Sequence, residues 1–128
     1  MKLIYYAHHK SKYNTKIELN EINIIEKAFN LSRIINPNGW IYQCGNENSI
    51  MNQCLKMVEN CDMLVFSTLD DGVIGKGVYL EIKHALNFNK EVYLLKDKLY
   101  KFTTDDYNKI KIIYEDTKSW RRYAKVIY

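Results

Sequence analysis

Residues 61–95 read CDMLVFSTLDDGVIGKGVYLEIKHALNFNKEVYLL, and this stretch decides the fold. It opens with a nearly continuous apolar run, DMLVFST at residues 62–68, of the kind buried on both faces of a parallel sheet. The loop LDDGVIGKG follows. Residues 78–88 then carry Val78, Ile82, Ala85 and Leu86 at helical spacing. A second apolar run, EVYLL at residues 91–95, completes the unit. Strand, loop, helix and strand in that order make a crossover between parallel strands, right-handed as nearly all such connections are.

The same alternation extends upstream. Residues 2–7 (KLIYYA) form a β-rich run, and the polar stretch HHKSKYNT after it reads as a loop. From Thr15 the spacing turns helical, with Ile17, Leu19, Ile22, Ile24, Ile25, Ala28 and Phe29 as the apolar stripe. Asn14 or Thr15 caps this helix, with Glu18 close behind. Residues 33–36 (RIIN) make a short strand that NPNGW stops. A helix over residues 48–60 uses Ile50, Met51, Cys54, Leu55, Met57 and Val58.

The order β-α-β-α-β-α-β predicts a doubly wound α/β fold. The expected form is a flavodoxin-like or Rossmann-like three-layer sandwich with a parallel sheet of four to five strands. Residues 96–128 are less regular; an edge strand at 110–114 and a short helix at 117–124 are expected there. No repeat or linker divides the chain, so residues 1–128 are read as a single domain with 96–128 as an irregular extension.

Composition narrows the function classes. The apolar share of 47% and charged share of 27% suit a folded core and exclude a disordered chain. A net charge of +4 is too mild to mark a binder of long nucleic acid, though it suits a phosphate-bearing small molecule. Cys44, Cys54 and Cys61 have neither CxxC nor CxH spacing, against a disulfide framework or a zinc knuckle. No metal and no cofactor are expected. No signal peptide precedes the first strand, and no apolar stretch approaches the roughly 18 residues a membrane span needs. A cytoplasmic protein with no membrane partner is the expectation.

In doubly wound sheets ligands bind beyond the carboxyl ends of the strands, at the point where strand order reverses. The loops there cover residues 8–14, 37–46 and 69–77. Glu81 lies at the edge of the sheet-facing stripe, near a helix start. Its side chain leans toward that start, where the dipole favours a carboxylate. A surface glutamate beside Lys83 and Lys90 is the other reading, and the residues leave both open. Asp70 and Asp71 suit acid–base work, or a plain Asp-Gly turn. Gly75 and Gly77 offer backbone N–H groups for a phosphate or hydroxyl, or a flexible turn; both GxxxxGK[ST] and GxGxxG spacing fail. His8 and His9 suit hydrogen bonds to a ligand. Trp40 and Tyr42 suit base stacking or packing. Arg121 and Arg122 suit a phosphate or a solvated helix end.

The 61–95 unit resembles the core of the nucleoside 2-deoxyribosyltransferase-like proteins. There an Asp-opened apolar strand leads through a glycine loop to a helix of the type G-[TV]-x-x-E-[IL]-x-x-A-L. Gly77, Val78, Glu81, Ile82, Ala85 and Leu86 fit that pattern. YYAHHKSKY resembles the family's substrate loop, and INPNG its proline segment. The likeness covers most of residues 1–95.

The resemblance implies that Glu81 is a nucleophile attacking C1′ of a nucleoside. It implies substrate contacts from Tyr6, His8, His9, Tyr13, Pro37, Asn38, Ser67, Gly75 and Gly77. It also implies a nucleoside or nucleotide ligand and a homodimer or higher homo-oligomer. Gly75 and Cys54 stand where the family usually has acids, so Asp70 or Asp71 is the expected substitute. A more distant resemblance is to TIR-like domains, whose helix glutamate cleaves NAD. The reading is therefore N-glycosidic cleavage or deoxyribosyl transfer. The alternatives are a non-catalytic nucleotide-binding or sequestering module, or a TIR-like NAD-cleaving domain.

Overall fold

Ile4, Tyr5, Tyr6 and Ala7 are four consecutive fully buried residues, a pattern that a strand covered on both faces produces. The structure, a computed structural model, describes residues 1–38, 46–113 and 121–127. Its elements run β1 (Lys2–Ala7), α1 (Lys16–Ala28), β2 (Ser32–Ile35), α2 (Glu47–Asn60), β3 (Met63–Ser67), β4 (Val73–Ile74), α3 (Lys76–Asn87), β5 (Glu91–Leu95), β6 (Leu99–Lys101), α4 (Thr104–Asn108), β7 (Lys111–Ile112) and β8 (Ala124–Lys125).

The main sheet has the order β2-β1-β3-β5-β6. Its first four strands are parallel, and β6 is antiparallel to β5. This is the expected flavodoxin-like winding. Strand alternation divides the core into two layers. Ile4, Tyr6, Met63 and Val65 pack with Ile25 of α1 on one face. Tyr5, Ala7, Leu64 and Phe66 pack with Cys54 and Val58 of α2 and Ile82 and Ala85 of α3 on the other. The order in which strands are added therefore reverses between β1 and β3, with β2 laid on one side of β1 and β3 on the other, and a crevice opens beyond their carboxyl ends.

Three expectations are corrected. Thr15 caps α1, accepting from the Glu18 N–H, but the helix does not bury its whole predicted stripe. Ile17 and Leu19 are 53% and 62% exposed, while Glu18 is buried. The inward row is Glu18, Glu21, Ile22 and Ile25, and its polar half is satisfied by hydrogen bonds from the β1 loop.

The tail is more ordered than its sequence pattern. Residues 99–101 extend the main sheet, and a Thr103–Asp106 capping box starts α4. The strand expected at 110–114 is confined to Lys111–Ile112, with Tyr114 outside the described residues. Ala124 is a strand residue, not the end of a helix, because Ile74 and Val73 give Ala124 and Lys125 an antiparallel partner. Arg121, Arg122 and Tyr123 are not helical either, and residues 117–120 lie outside the described residues. The small second sheet has the order β4-β8-β7.

Of the three loop glycines, Gly72 is the one at positive φ, 79°. Gly75 is ordinary extended backbone at the start of α3.

Leu31 joins α1 to β2 with φ 56° and is 84% exposed. A leucine in that region costs about 1 kcal/mol, and asparagine tolerates it better. Leu31→Asn is expected to raise stability by about 0.5–1 kcal/mol, read as a higher urea midpoint at unchanged slope. Among the described residues, no helix is long and apolar enough to cross a membrane.

Candidate active site at the sheet switch point

A cavity of about 510 Å³ lies beyond the carboxyl end of β1 and beside the start of α3, the helix that follows β3. Volumes of roughly 300–1,000 Å³ are typical of small-molecule sites. Three segments supply most of its wall: the β1 loop, the first turns of α2, and the start of α3.

Glu81 lines this cavity and is only 5% exposed. The Tyr5 hydroxyl, from the α2/α3 face of β1, donates to its Oε2. The Cys54 thiol of α2 also hydrogen-bonds with the Glu81 carboxyl and with Tyr5. Burial pushes the Glu81 carboxyl from 4.5 up to about 7, and the hydrogen bonds from Tyr5 and Cys54 restrain the rise. Burial, with Glu81 next, also raises the Tyr5 hydroxyl well above its ordinary value. Glu81 is therefore poised between acid and carboxylate near neutral pH, as groups in chemically active sites often are.

Gly75 and Gly77 border the cavity at the α3 start, where no side chain caps the helix. The first N–H groups of a helix have no intrahelical partner, so this turn offers donors that suit a ligand hydroxyl.

The β1 loop is shaped by a 3₁₀ turn at Lys10–Lys12. His9 Nδ1 accepts from the Ser11 N–H at 3.1 Å, so its Nε2–H donates to the Arg121 carbonyl at 2.9 Å. Burial, aided by nearby Lys12, Arg121 and Arg122, holds His9 below the ordinary histidine value. His8 stacks on Tyr6 at 3.8 Å, and its Nε2 lies 2.7 Å from Glu18 Oε2. Burial outweighs Glu18 and keeps His8 below its ordinary value; its Nε2 faces the Glu18 carboxylate and its Nδ1 faces the Tyr6 carbonyl at 3.2 Å.

Burial also acts to raise Glu18. The His8 bond, the Asn14 N–H and the Asn38 amide overcome it and hold the carboxyl below its usual range. Glu18 thereby clamps the loops after β1 and β2 to each other.

A second polar group anchors the β1 loop to β3. Lys12 Nζ donates to Glu21 at 2.9 Å, to Ser67 Oγ at 2.9 Å and to the Thr68 carbonyl at 2.8 Å. Ser67 and Tyr6 both donate to Glu21 Oε1. The three protons of the ammonium are all used.

The structure brings Glu81, His8, His9, Tyr13, Pro37, Gly75 and Gly77 to the cavity. It places Tyr6 and Ser67 on the α1 face with Glu21, and Asn38 on Glu18. Asp70 and Asp71 are exposed on the loop after β3 and do not line the cavity. Asp71 instead receives Arg122 at 2.5 Å, which holds its carboxyl below the usual range.

Arg121, the neighbour of Arg122, does line the cavity. Trp40 and Tyr42 lie outside the described residues. Sequence reasoning missed Tyr5 and Lys10. Strict alternation along β1 separates Tyr5 from Tyr6, and that signal identifies Tyr5 as the partner of an α3 residue. Among the described residues, no group of three or more His, Cys, Asp or Glu side chains is arranged to hold a metal ion. No family model matches this chain, and no curated protein matches it.

Proposed function

We propose that the chain cleaves or transfers the N-glycosidic bond of a nucleoside or nucleotide, with Glu81 as nucleophile. On this reading it works as a homo-oligomer, as in the family it resembles. The observation that carries the proposal is a buried carboxyl, oriented by Tyr5, bordering a ligand-sized cavity at the switch point. A Glu81 oxygen forms a bond to C1′ as the C1′–N bond breaks. The electron pair of that bond leaves with the base, which takes a proton from solvent water. The carboxylate offsets positive charge that develops on the sugar ring, and the low-dielectric surroundings strengthen that interaction. Water, or the nitrogen of a second base, then attacks C1′ and releases Glu81.

A second reading is a nucleotide-binding module without turnover. It is favoured by the Cys54 thiol standing beside Glu81 where the resembled family usually has an acid.

One incubation separates the two. The protein is mixed with deoxynucleosides, their 5′-monophosphates and NAD, and free base or nicotinamide is followed by chromatography. Intact-mass analysis looks for a glycosyl adduct on Glu81. Base release supports the enzyme. Thermal stabilisation by a ligand that is recovered intact supports the binding module and sinks the enzyme. Release of nicotinamide alone moves the assignment to NAD cleavage.

A further inference from the structure

We propose that Lys10 and Arg121 form a phosphate subsite in this cavity, so that its ligand is a nucleoside 5′-phosphate and not a free nucleoside. The proposal rests on reading the cavity as a nucleoside site and names the substrate class more closely.

Both side chains line the cavity and both residues are exposed. Four cationic residues lie in the Lys10–Lys12 turn and at positions 121 and 122, and they divide in two. Lys12 is consumed by Glu21, Ser67 and Thr68, and Arg122 by Asp71. Among the described residues, no carboxylate is paired with Lys10 or Arg121. Two cations bordering one concave site, with no paired carboxylate among the described residues, make a region that a dianionic phosphate would neutralise. The guanidinium of Arg121 offers a planar pair of donors matched to two phosphate oxygens, and Lys10 a mobile point charge.

The backbone holds Arg121 at this place independently of its side chain. Its carbonyl accepts from His9 at 2.9 Å. Two residues later the Tyr123 N–H donates to Ile74 at 3.0 Å, and the Tyr123 carbonyl accepts from Ile113 at 2.7 Å. The segment is thus fastened both to the loop that carries Lys10 and to the loop that leads into α3. Truncating the Arg121 side chain leaves all three hydrogen bonds in place.

The test is a binding comparison in the Glu81→Gln protein, where turnover does not interfere. Dissociation constants are measured by calorimetry for the four 2′-deoxynucleosides and the four matching 5′-monophosphates. At least one monophosphate is expected to bind roughly tenfold or more tightly than its nucleoside, a gap that narrows as salt is added. In Lys10→Ala/Arg121→Ala the gap should close to within about twofold, with nucleoside affinity unchanged. Arg122→Ala is the control for general loss of positive charge and should leave the gap intact.

Equal affinity for nucleosides and monophosphates overturns the proposal. So does a gap that survives the double substitution, a gap that Arg122→Ala removes equally, or absence of binding by either set. A preference for monophosphates without base release by the unmodified protein upholds this subsite while defeating the glycosidase. Base release with equal affinities does the reverse.

Discussion

Glu81→Gln is expected to cut base release by on the order of 10³-fold or more while making the protein more stable above neutral pH. Glutamine keeps the size of glutamate and still accepts from the Tyr5 hydroxyl, but it cannot attack C1′ or carry a buried charge. The folded-state value of about 7 lies above the ordinary 4.5, so folding favours the protonated acid. That contribution is fully present below 4.5 and is lost as pH rises through 7. Above that window the parent protein buries an ionised carboxylate. The variant does not, and the difference is about 3 kcal/mol, or roughly 10 °C in Tm for a chain of this size. Denaturant unfolding at pH 4.5 and pH 8.5 checks this: the two proteins should nearly coincide at the lower pH and separate at the higher. An equal difference at both pH values would refute the burial argument. In the parent, kcat/KM should climb as pH rises through about 7, because the nucleophile is the ionised form.

Lys12→Met is expected to cost about 3 kcal/mol, more than most single substitutions in a domain of this size. Methionine fills the space of the lysine stem. It leaves Glu21 without its cation, and Ser67 and the Thr68 carbonyl each without a donor. Removing one member of a buried ion pair is costly because the remaining charge stays buried. Adding Glu21→Gln should therefore return more than half of the loss, a non-additivity that a double-mutant cycle in urea measures directly. If the two losses simply add, Lys12 and Glu21 are not coupled, and the hydrogen-bonded group does not act as a unit. The single variant should also weaken ligand binding, since Lys12 ends the turn that carries His9, Lys10 and Ser11 to the cavity.

Much of the fold was legible because residues 1–95 follow two clear periods. Strands such as MLVFS are buried at every position, and the α3 stripe of Val78, Ile82 and Ala85 repeats at helical spacing. The tail has no such period. A two-residue strand like Ala124–Lys125 carries no pattern, and it exists because Val73 and Ile74 supply backbone partners from far away in sequence. In α1 the spacing was right but the hydrophobic rule misled. Glu18 and Glu21 occupy the inward row that apolar residues usually hold, and only their partners in the β1 loop and on β3 explain it. The site was legible where a helix start and a strand end set position, as for Glu81 and the two glycines. Asp70 and Asp71 looked better placed than they are, because sequence adjacency to a strand end does not say which way the loop turns. Here the loop turns outward, and Arg122 meets Asp71 at the surface.

Tyr5 and Tyr6 are consecutive on a strand that pairs on both sides, with β2 and with β3. One tyrosine serves Glu81 in one layer, and the next serves Glu21 in the other. Inserting or deleting a single residue between them and the end of β1 would exchange the layers and strip both glutamates of their tyrosine donor at once. Point substitution is consequently the main route open to this strand in evolution, and length variation is closed to it. In diverged descendants the spacing from these two positions to the end of β1 should stay constant even where the residues around them have drifted.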